Sequence, residues 1–106
     1  MKKEEVFKLL SCKSRYDMFK MFLENDEVCT CHFEKDFNLS QANVSKHIRA
    51  FRELDMLDCR CDGTYKYYKL TEDFKNNNKE LINYIKWLTY FKKLTKLIKL
   101  KKSSGL

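Results

Sequence analysis

Five cysteines are the residues of this chain best suited to chemistry, and four of them occur as two Cys-x-Cys pairs. The first pair lies in the stretch EVCTCHF, residues 27–33, where Cys29 and Cys31 stand beside His32. Thiolates bind soft ions such as arsenic(III), antimony(III), cadmium, lead, zinc and copper(I). The beginning of the chain, MKKEEVFKLL, has acidic residues where an export signal needs an apolar stretch, so we do not expect a disulfide framework. Reduced thiols for metal or redox chemistry are the leading interpretation, and thiols that only pack are the alternative.

The spacing within each pair determines how its two thiols can meet. Cys29 and Cys31 fall in a predicted short helix, where residues i and i+2 point about 200° apart. Both thiols could then hold one ion only if the helix start distorts. Cys59 and Cys61 fall in a predicted strand, where residues i and i+2 share a face. They are a second candidate site for a soft metal or for redox chemistry, with packing or incidental exposure as the alternative.

Length and composition allow one globular domain. The chain has 106 residues, 43% hydrophobic and 35% charged, with two glycines and no proline, which favours a mainly helical protein. Its net charge of +7 favours a polyanionic partner, nucleic acid before a membrane, with a merely soluble basic surface as the alternative. No stretch approaches the roughly 20 apolar residues of a membrane span, so we expect a cytoplasmic protein. No nucleophile–base pair and no glycine loop for phosphate is visible, so neither an enzyme nor an organic cofactor is expected.

The predicted order of elements is helix, helix, short helix, helix, hairpin, helix. Apolar residues spaced by threes and fours predict the helices over residues 4–10, 13–25, 29–36, 40–53 and 79–100. Ser14 and Ser40 are the expected start signals of the second and fourth helices. Asp62 and Gly63 separate two short strand-like runs and predict a hairpin, whose two-residue turn needs a positive φ. The segment TEDFKNNN that follows is expected to be a polar link.

The short helix, the turn at residues 37–39 and the helix at 40–53 form a helix-turn-helix, and the hairpin supplies a wing. An apolar stripe on the second of these helices predicts its packed side: Val44, Ile48 and Phe51. A separate polar stripe predicts a face that can enter a DNA groove: Gln41, Ser45, Arg49 and Arg52. Gln pairs bidentately with adenine and Arg with guanine, while Lys46 suits a phosphate. For His47, on the other flank, a packed histidine and a base contact both remain open.

The predicted wing carries three basic residues that could follow the DNA backbone or enter the minor groove: Arg60, Lys66 and Lys69. Its three tyrosines have ordinary strand packing as a competing role, which we expect for at least one of Tyr65, Tyr67 and Tyr68.

The last helix has a narrow apolar seam: Leu81, Ile85, Leu88, Phe91, Leu94 and Ile98. Such a seam suits another helix. We expect it to form a dimer interface, with packing inside one chain as the alternative. The chain is thus expected to be a single winged helix-turn-helix domain, residues 1–106, with residues 79–100 as a C-terminal dimerisation helix.

The segment LSQANVSKHIRAFRELDMLDCRCDGTYKYYKL resembles the helix-turn-helix and wing of the ArsR/SmtB family of metal-responsive bacterial repressors. The shared pattern is Leu-Ser-Gln, then Val-Ser, then His with an aliphatic residue, and a wing that ends in Tyr-Tyr-x-Leu. EVCTCHF stands where that family has its metal box, Glu-Leu-Cys-Val-Cys-Asp-Leu, and Ser14–Arg15 stands in for a Thr-Arg pair. The resemblance covers about residues 4–72. It implies a bacterial homodimer, with its first and last helices at the interface, that leaves a two-fold symmetric operator when a toxic metal or metalloid binds.

The resemblance also assigns positions within the site. Four residues match the recognition-helix positions of the family, and Asn43 falls at a variable one: Ser40, Gln41, Ser45 and His47. Cys29 and Cys31 match the thiols of the metal box. A site that some members build from Asp, His and Glu on the final helix is absent, because residues 81–106 contain none of these and no Cys.

Two thiolates rarely suffice to bind a metal ion, so a third ligand is expected besides Cys29 and Cys31. Glu34 stands where one branch of the family has a further cysteine. Cys12 is the upstream candidate for the cysteine that another branch takes from the partner subunit. His32 is a third candidate, with a solvated helix surface as its alternative role.

The leading hypothesis from the sequence is a homodimeric repressor that leaves double-stranded operator DNA when a soft metal or metalloid binds its thiolates. The expected DNA contacts are Ser40, Gln41, Asn43, Ser45, Lys46, His47, Arg49, Arg60 and Lys66. A thiol-based redox regulator of the same fold is the second hypothesis. A metal-buffering or membrane-surface protein built on the lysine-rich last helix is the third.

Overall fold

The computed structural model describes residues 3–103, which form six helices and a three-stranded sheet. The elements in chain order are α1 (Lys3–Leu10), α2 (Lys13–Glu24), β1 (Val28–Cys29), α3 (Thr30–Asp36), α4 (Gln41–Glu53), β2 (Leu57–Asp62), β3 (Tyr65–Leu70), α5 (Glu72–Asn77) and α6 (Lys79–Ser103). The predicted fold class, mainly helical with a small β-hairpin and a winged helix-turn-helix, is confirmed. Over the described residues, no helix has the length and apolar character needed to cross a membrane.

The helix-turn-helix consists of α3 and α4, and Ser40 starts α4 as predicted. Its Oγ accepts a hydrogen bond from the backbone N–H of Asn43 at 3.1 Å, which satisfies one free amide of the first turn. The turn passes through Asn38 at φ +52°, a left-handed conformation that Asn tolerates better than most residues. Phe33 of α3 is fully buried and meets the ring of Phe22 edge-on at 5.4 Å. This packing holds α3 against α2 and leaves the outer side of α4 free.

α2 begins at Lys13, where the predicted helix begins, but its N-cap residue differs from the prediction. The helix begins one residue before Ser14, and Cys12 takes the N-cap position, although its side chain makes no capping hydrogen bond. Arg15 Nε donates to the Leu9 carbonyl at 2.7 Å and joins the end of α1 to the first turn of α2. The Ser14 prediction is wrong because this contact between neighbouring helices, rather than a side-chain cap, accompanies the start of α2.

The hairpin is confirmed, but its turn lies one residue later than predicted. Asp62 pairs with Tyr65, so Gly63 and Thr64 are the two turn residues. Gly63 has φ +62° at the first central position, where a type II′ turn requires a glycine. The prediction took Asp62 and Gly63 as the two turn residues because Asp-Gly is a typical sequence of the type I′ turn.

The sheet contains a strand that the sequence did not predict. β1 pairs antiparallel with β3, with Val28 opposite Tyr68 and Cys29 opposite Tyr67, so the strand order is β1–β3–β2. A two-residue strand is too short to show an alternating pattern. The first thiol of EVCTCHF therefore belongs to the wing sheet and not to the helix.

The segment predicted as a polar link contains the helix α5. Thr71 Oγ1 accepts a hydrogen bond from the backbone N–H of Phe74 at 3.1 Å and caps the helix. Phe74 is buried and meets the ring of Phe19 edge-on at 5.9 Å. A single apolar residue in a polar segment gives no periodicity. The helix therefore could not be predicted from the sequence, because it depends on the packing of Phe74 against Phe19 in the core.

The last helix, α6, divides its length between the core and the solvent. Ile82 and Ile85 are buried, whereas none of the side chains at residues 90–99 is buried. The predicted seam therefore splits into a part inside the chain, which includes Ile85, and an exposed part: Phe91, Leu94 and Ile98.

Candidate nucleic-acid interface and thiol pairs

A cleft of about 670 Å³ lies between the outer face of α4 and the wing. The structure brings the whole predicted polar stripe of α4 to its wall: Gln41, Ser45, Arg49 and Arg52. Lys66 and Tyr68 line the opposite side, and Glu34 and Glu53 are the acidic residues of the lining. With three basic and two acidic side chains, the cleft offers donors for base edges and phosphates on both walls.

The two faces of α4 are separated as the sequence predicted. Val44, Ile48 and Phe51 are at most 4% exposed. Within residues 3–103, no ion pair or side-chain hydrogen bond engages Arg49, so its guanidinium is available to a partner. The candidate DNA contacts on the exposed surface of this helix and its cap are Ser40, Gln41, Asn43, Ser45, Lys46 and Arg49.

His47 lies half-buried on the inner flank of α4. Its Nδ1 is buried and has no hydrogen-bond partner among the described residues. Burial, followed by the positive charges of Arg15 and Lys46, lowers the pKa of the imidazole, so its neutral form is favoured. This placement favours the packed role of His47 over a base contact.

Arg60 of the wing forms a surface ion pair with another residue of the same chain. Its guanidinium pairs with both carboxylate oxygens of Glu27, at 3.0 and 3.2 Å, and lies 4.5 Å from the ring centroid of Tyr67. The same contact lowers the pKa of Glu27, chiefly through the hydrogen bonds from Arg60. Sequence reasoning missed Glu27 as a partner because the two residues are 33 positions apart. Lys66 is thus the predicted wing contact that faces the cleft, while Arg60 is occupied.

Tyr68 is the tyrosine of the wing that packs. It is 4% exposed, and the Arg52 guanidinium lies 6.0 Å from its ring centroid. Tyr65, by contrast, is 56% exposed. The expectation that at least one wing tyrosine has a packing role is met by Tyr68.

Cys29 and Cys31 lie in direct contact. Their Sγ atoms are 2.7 Å apart, and the backbone N–H of Cys31 donates to Cys29 Sγ at 3.4 Å. Cys29 is the N-cap of α3, in an extended conformation at φ −77° and ψ 142°, and it is 3% exposed. The expected distortion of the helix start is therefore unnecessary, because the first thiol stands outside the helix and turns back over it.

The contact also changes the acidity of the pair. The hydrogen bond with Cys29, followed by burial, raises the pKa of the Cys31 thiol. Two thiols this close resist a double negative charge, and a soft cation placed between them would favour the doubly deprotonated form. The pair is a suitable two-sulfur portion of a soft-metal site.

The structure does not bring a third ligand to the pair within one chain. Among the described residues, no group of three His, Cys, Asp or Glu side chains could hold a metal ion. Cys12 lies at the start of α2, where the nearby backbone amide of Arg15, the largest cause, lowers the pKa of its thiol despite some burial. His32 is exposed on α3.

Cys59 and Cys61 are exposed on β2. They lie opposite Tyr68 and Lys66 on the neighbouring strand, so both thiols share the face of the hairpin that lines the cleft.

The exposed part of α6 carries a continuous apolar surface, which we call the α6 face. Its residues cover about 140° of the helix circumference at 100° per residue, and the rings of Tyr84, Trp87 and Phe91 stack along its N-terminal half. These rings are 51–59% exposed. The α6 face consists of Tyr84, Trp87, Tyr90, Phe91, Leu94, Leu97 and Ile98.

Comparison with known proteins shows what the chain resembles. It is 34% identical over 65 residues to the arsenic resistance transcriptional regulator ArsR1 of Pseudomonas putida, a match that covers 61% of this chain and 51% of that protein. It is 31% identical over 62 residues to the cadmium resistance regulator CadC of Listeria innocua, covering 58% of this chain and 52% of CadC. The chain thus spans about half the length of these two relatives. No family model matches the sequence.

A solved structure agrees in fold. The reduced form of HlyU from Vibrio cholerae superposes with a TM-score of 0.70 at 21% identity, covering 81% of this chain and 86% of HlyU. The resemblance inferred from the helix-turn-helix, the wing and the two-thiol box is therefore confirmed: this chain is a winged-helix protein similar to ArsR- and CadC-type transcriptional regulators.

Proposed function

We propose that this protein is a homodimeric, DNA-binding transcriptional repressor that leaves its operator when a soft metal or metalloid ion binds Cys29 and Cys31. The observation that carries the proposal is the place of the thiol pair. Its two sulfurs are in contact at the junction between the wing sheet and the first helix of the DNA-reading unit.

DNA binding is supported by the cleft between α4 and the wing. An exposed face with a free Arg49 stands on one wall and Lys66 on the other, in a chain of net charge +7. We assign base reading to Gln41, Ser45 and Arg49, since their side chains project from the outer face of α4. Lys46 and Lys66 are assigned to phosphates.

A homodimer is supported by the α6 face. Its half-exposed aromatic and aliphatic side chains form a contiguous apolar surface of the kind that marks protein–protein interfaces, and Phe7 of α1 is also 58% exposed. Two copies related by a two-fold axis would cover it and place two α4 helices for successive major grooves.

The thiol pair is connected to the DNA-reading elements through the backbone. Cys29 pairs with Tyr67 of β3, and Cys31 belongs to the first turn of α3. Glu27, two residues before Cys29, forms an ion pair with Arg60 of β2. A change in the separation of the two sulfurs therefore moves α3 relative to the wing. A difference in affinity between the two arrangements of about 1–3 kcal/mol is enough for a regulatory response.

The bound ion needs a third ligand besides Cys29 and Cys31. Cys12 of a second copy is the preferred candidate, because its lowered pKa increases the thiolate fraction that a soft ion needs. His32 is exposed and remains the alternative within α3.

The test is operator binding with and without each ion. Operator DNA is first selected from random duplexes with the wild-type chain. Its affinity is then measured by fluorescence anisotropy with arsenite, antimonite, Cd²⁺, Pb²⁺ and Zn²⁺. We expect at least one ion to weaken binding by 5- to 150-fold, roughly the range of ordinary allosteric coupling, and Cys29→Ser or Cys31→Ser to abolish the response. The metal-sensing proposal is wrong if neither the ions nor the substitutions alter DNA affinity.

A redox regulator of the same fold is the second candidate, and the short distance between the sulfurs favours it specifically. Two sulfurs 2.7 Å apart need little movement to form a disulfide bond of about 2.05 Å. Oxidation of the two thiols by peroxide would release two protons and pass two electrons to the oxidant. If peroxide releases the operator DNA and a thiol reductant restores binding in the presence of a chelator, the switch is redox-driven and not metal-driven.

A further inference from the structure

The two wing cysteines are not used by the proposed function and form a pair of their own. Cys59 and Cys61 are exposed and stand two residues apart on β2, within an unbroken ladder with β3. Their side chains point to the same side of the sheet, because successive side chains of a strand alternate between its two faces. Both thiols are thus presented to the cleft side of the wing.

The strand geometry sets what this pair can hold. The Cα atoms of residues i and i+2 lie about 6.8 Å apart in an antiparallel strand, and staggered side chains turned toward each other bring the sulfurs to roughly 3.5 Å. One ion with metal–sulfur bonds of about 2.3 Å spans up to about 4.6 Å between two sulfurs. A disulfide needs Cβ atoms about 3.8 Å apart, which a regular strand does not offer. The wing pair therefore suits a bridging ion and not a disulfide, whereas the sulfurs of Cys29 and Cys31 are close enough for either.

We propose that Cys59 and Cys61 form a second thiol site that binds one soft cation with two sulfur ligands, of the mercury(II) type. The divalent ion displaces two thiol protons and forms two metal–sulfur bonds, with no change in oxidation state. The site does not depend on Cys29, Cys31 or DNA binding.

The surroundings of the pair support a bound thiolate. Tyr68 lies opposite Cys59 on β3, so its polar ring belongs to the same face of the hairpin as the thiol. Lys66 stands opposite Cys61 and supplies a positive charge on the same face. Both groups belong to the cleft lining, so an ion held here lies beside the candidate DNA-reading surface.

The test uses the full chain with Cys12→Ser, Cys29→Ser and Cys31→Ser, which leaves the wing pair as its only thiols. Hg²⁺ is titrated in the presence of 2-mercaptoethanol, and binding is followed by ultraviolet charge-transfer absorbance and by metal analysis after gel filtration. We expect one mercury per chain. Adding Cys59→Ser should lower the apparent affinity at least about 100-fold, since the second bond is then no longer intramolecular.

A matched control keeps two thiols but separates their faces. In the same background, Cys59→Ser with Asp62→Cys leaves adjacent thiols on opposite sides of β2, and circular dichroism confirms that each variant is folded. The proposal is overturned if this control binds mercury as tightly as the wing pair, if Cys59→Ser has no effect, or if one mercury is shared by two chains.

Discussion

Cys29 has two roles in this structure, and two substitutions at the same position separate them. Its sulfur accepts the hydrogen bond from the Cys31 amide as the N-cap of α3, and the same sulfur contacts the second thiol. Cys29→Ser keeps an acceptor at the cap but removes the soft ligand. Cys29→Ala removes both.

The magnitudes follow from the cap. Loss of an N-cap acceptor costs about 0.5–2 kcal/mol of unfolding free energy, and 1 kcal/mol lowers the Tm of a domain of this size by about 4–8 °C. Serine is among the best N-cap residues, so Cys29→Ser should stay within about 0.5 kcal/mol of the wild type. Without metal, we therefore expect a clear loss of Tm for Cys29→Ala and almost none for Cys29→Ser.

The assay is thermal unfolding by circular dichroism, with and without Cd²⁺ at about 100 times its dissociation constant, where ligand binding adds about 2.7 kcal/mol. Wild type should show this stabilisation and both Cys29 variants should lose it. Lys35→Ala, which truncates an exposed side chain of the same helix, is the matched control and should keep it. The reasoning is refuted if Cys29→Ser melts as low as Cys29→Ala, or if it keeps the full response to Cd²⁺.

Three further outcomes are expected. Arg49→Ala should weaken operator binding by about 2–6 kcal/mol per dimer, twice the cost of one base contact, in anisotropy titrations. Arg60→Ala should cost less, because that guanidinium is held by Glu27; equal losses would contradict the assignment. Trp87→Ser on the α6 face should weaken dimerisation by at least about 2 kcal/mol, roughly 30-fold, in analytical ultracentrifugation. Lys93→Ser is its control, and an unchanged dimer in Trp87→Ser would exclude that interface. Finally, the pKa of the Cys31 thiol is raised in the folded protein. Its contribution to the unfolding free energy is therefore present below the ordinary thiol pKa of about 8.5 and is lost as the pH rises through the pKa of the folded state. Urea unfolding at pH 8 and pH 10 should show a larger loss of unfolding free energy in the wild type than in Cys31→Ser.

Local patterns were enough to predict the helix-turn-helix and the wing. The apolar stripe of Val44, Ile48 and Phe51 predicts the packed side of α4, and Ser40 predicts its start, because helix periodicity and capping depend on residues within a few positions of one another. The hairpin was found in the same way from Gly63. The position of its turn was wrong by one residue, since only the pairing of Asp62 with Tyr65 decides it.

Contacts between distant residues decided the candidate sites. β1 exists because Cys29 pairs with Tyr67, and this places the first thiol outside the helix and into contact with Cys31. The ion pair of Glu27 with Arg60, across 33 positions, engages a side chain that was predicted to contact DNA.

The sequence by itself determined the types of chemistry and the order of the elements: two pairs of thiols, a basic chain, and a helix-turn-helix followed by a wing. The tertiary structure decided which groups meet. It joined the first thiol pair to the wing sheet, put the second pair on the cleft side of β2, and left the α6 face uncovered in the single chain. The physical reason is range, since propensities and caps act between near neighbours, whereas strand pairing and core packing join segments that no local pattern connects.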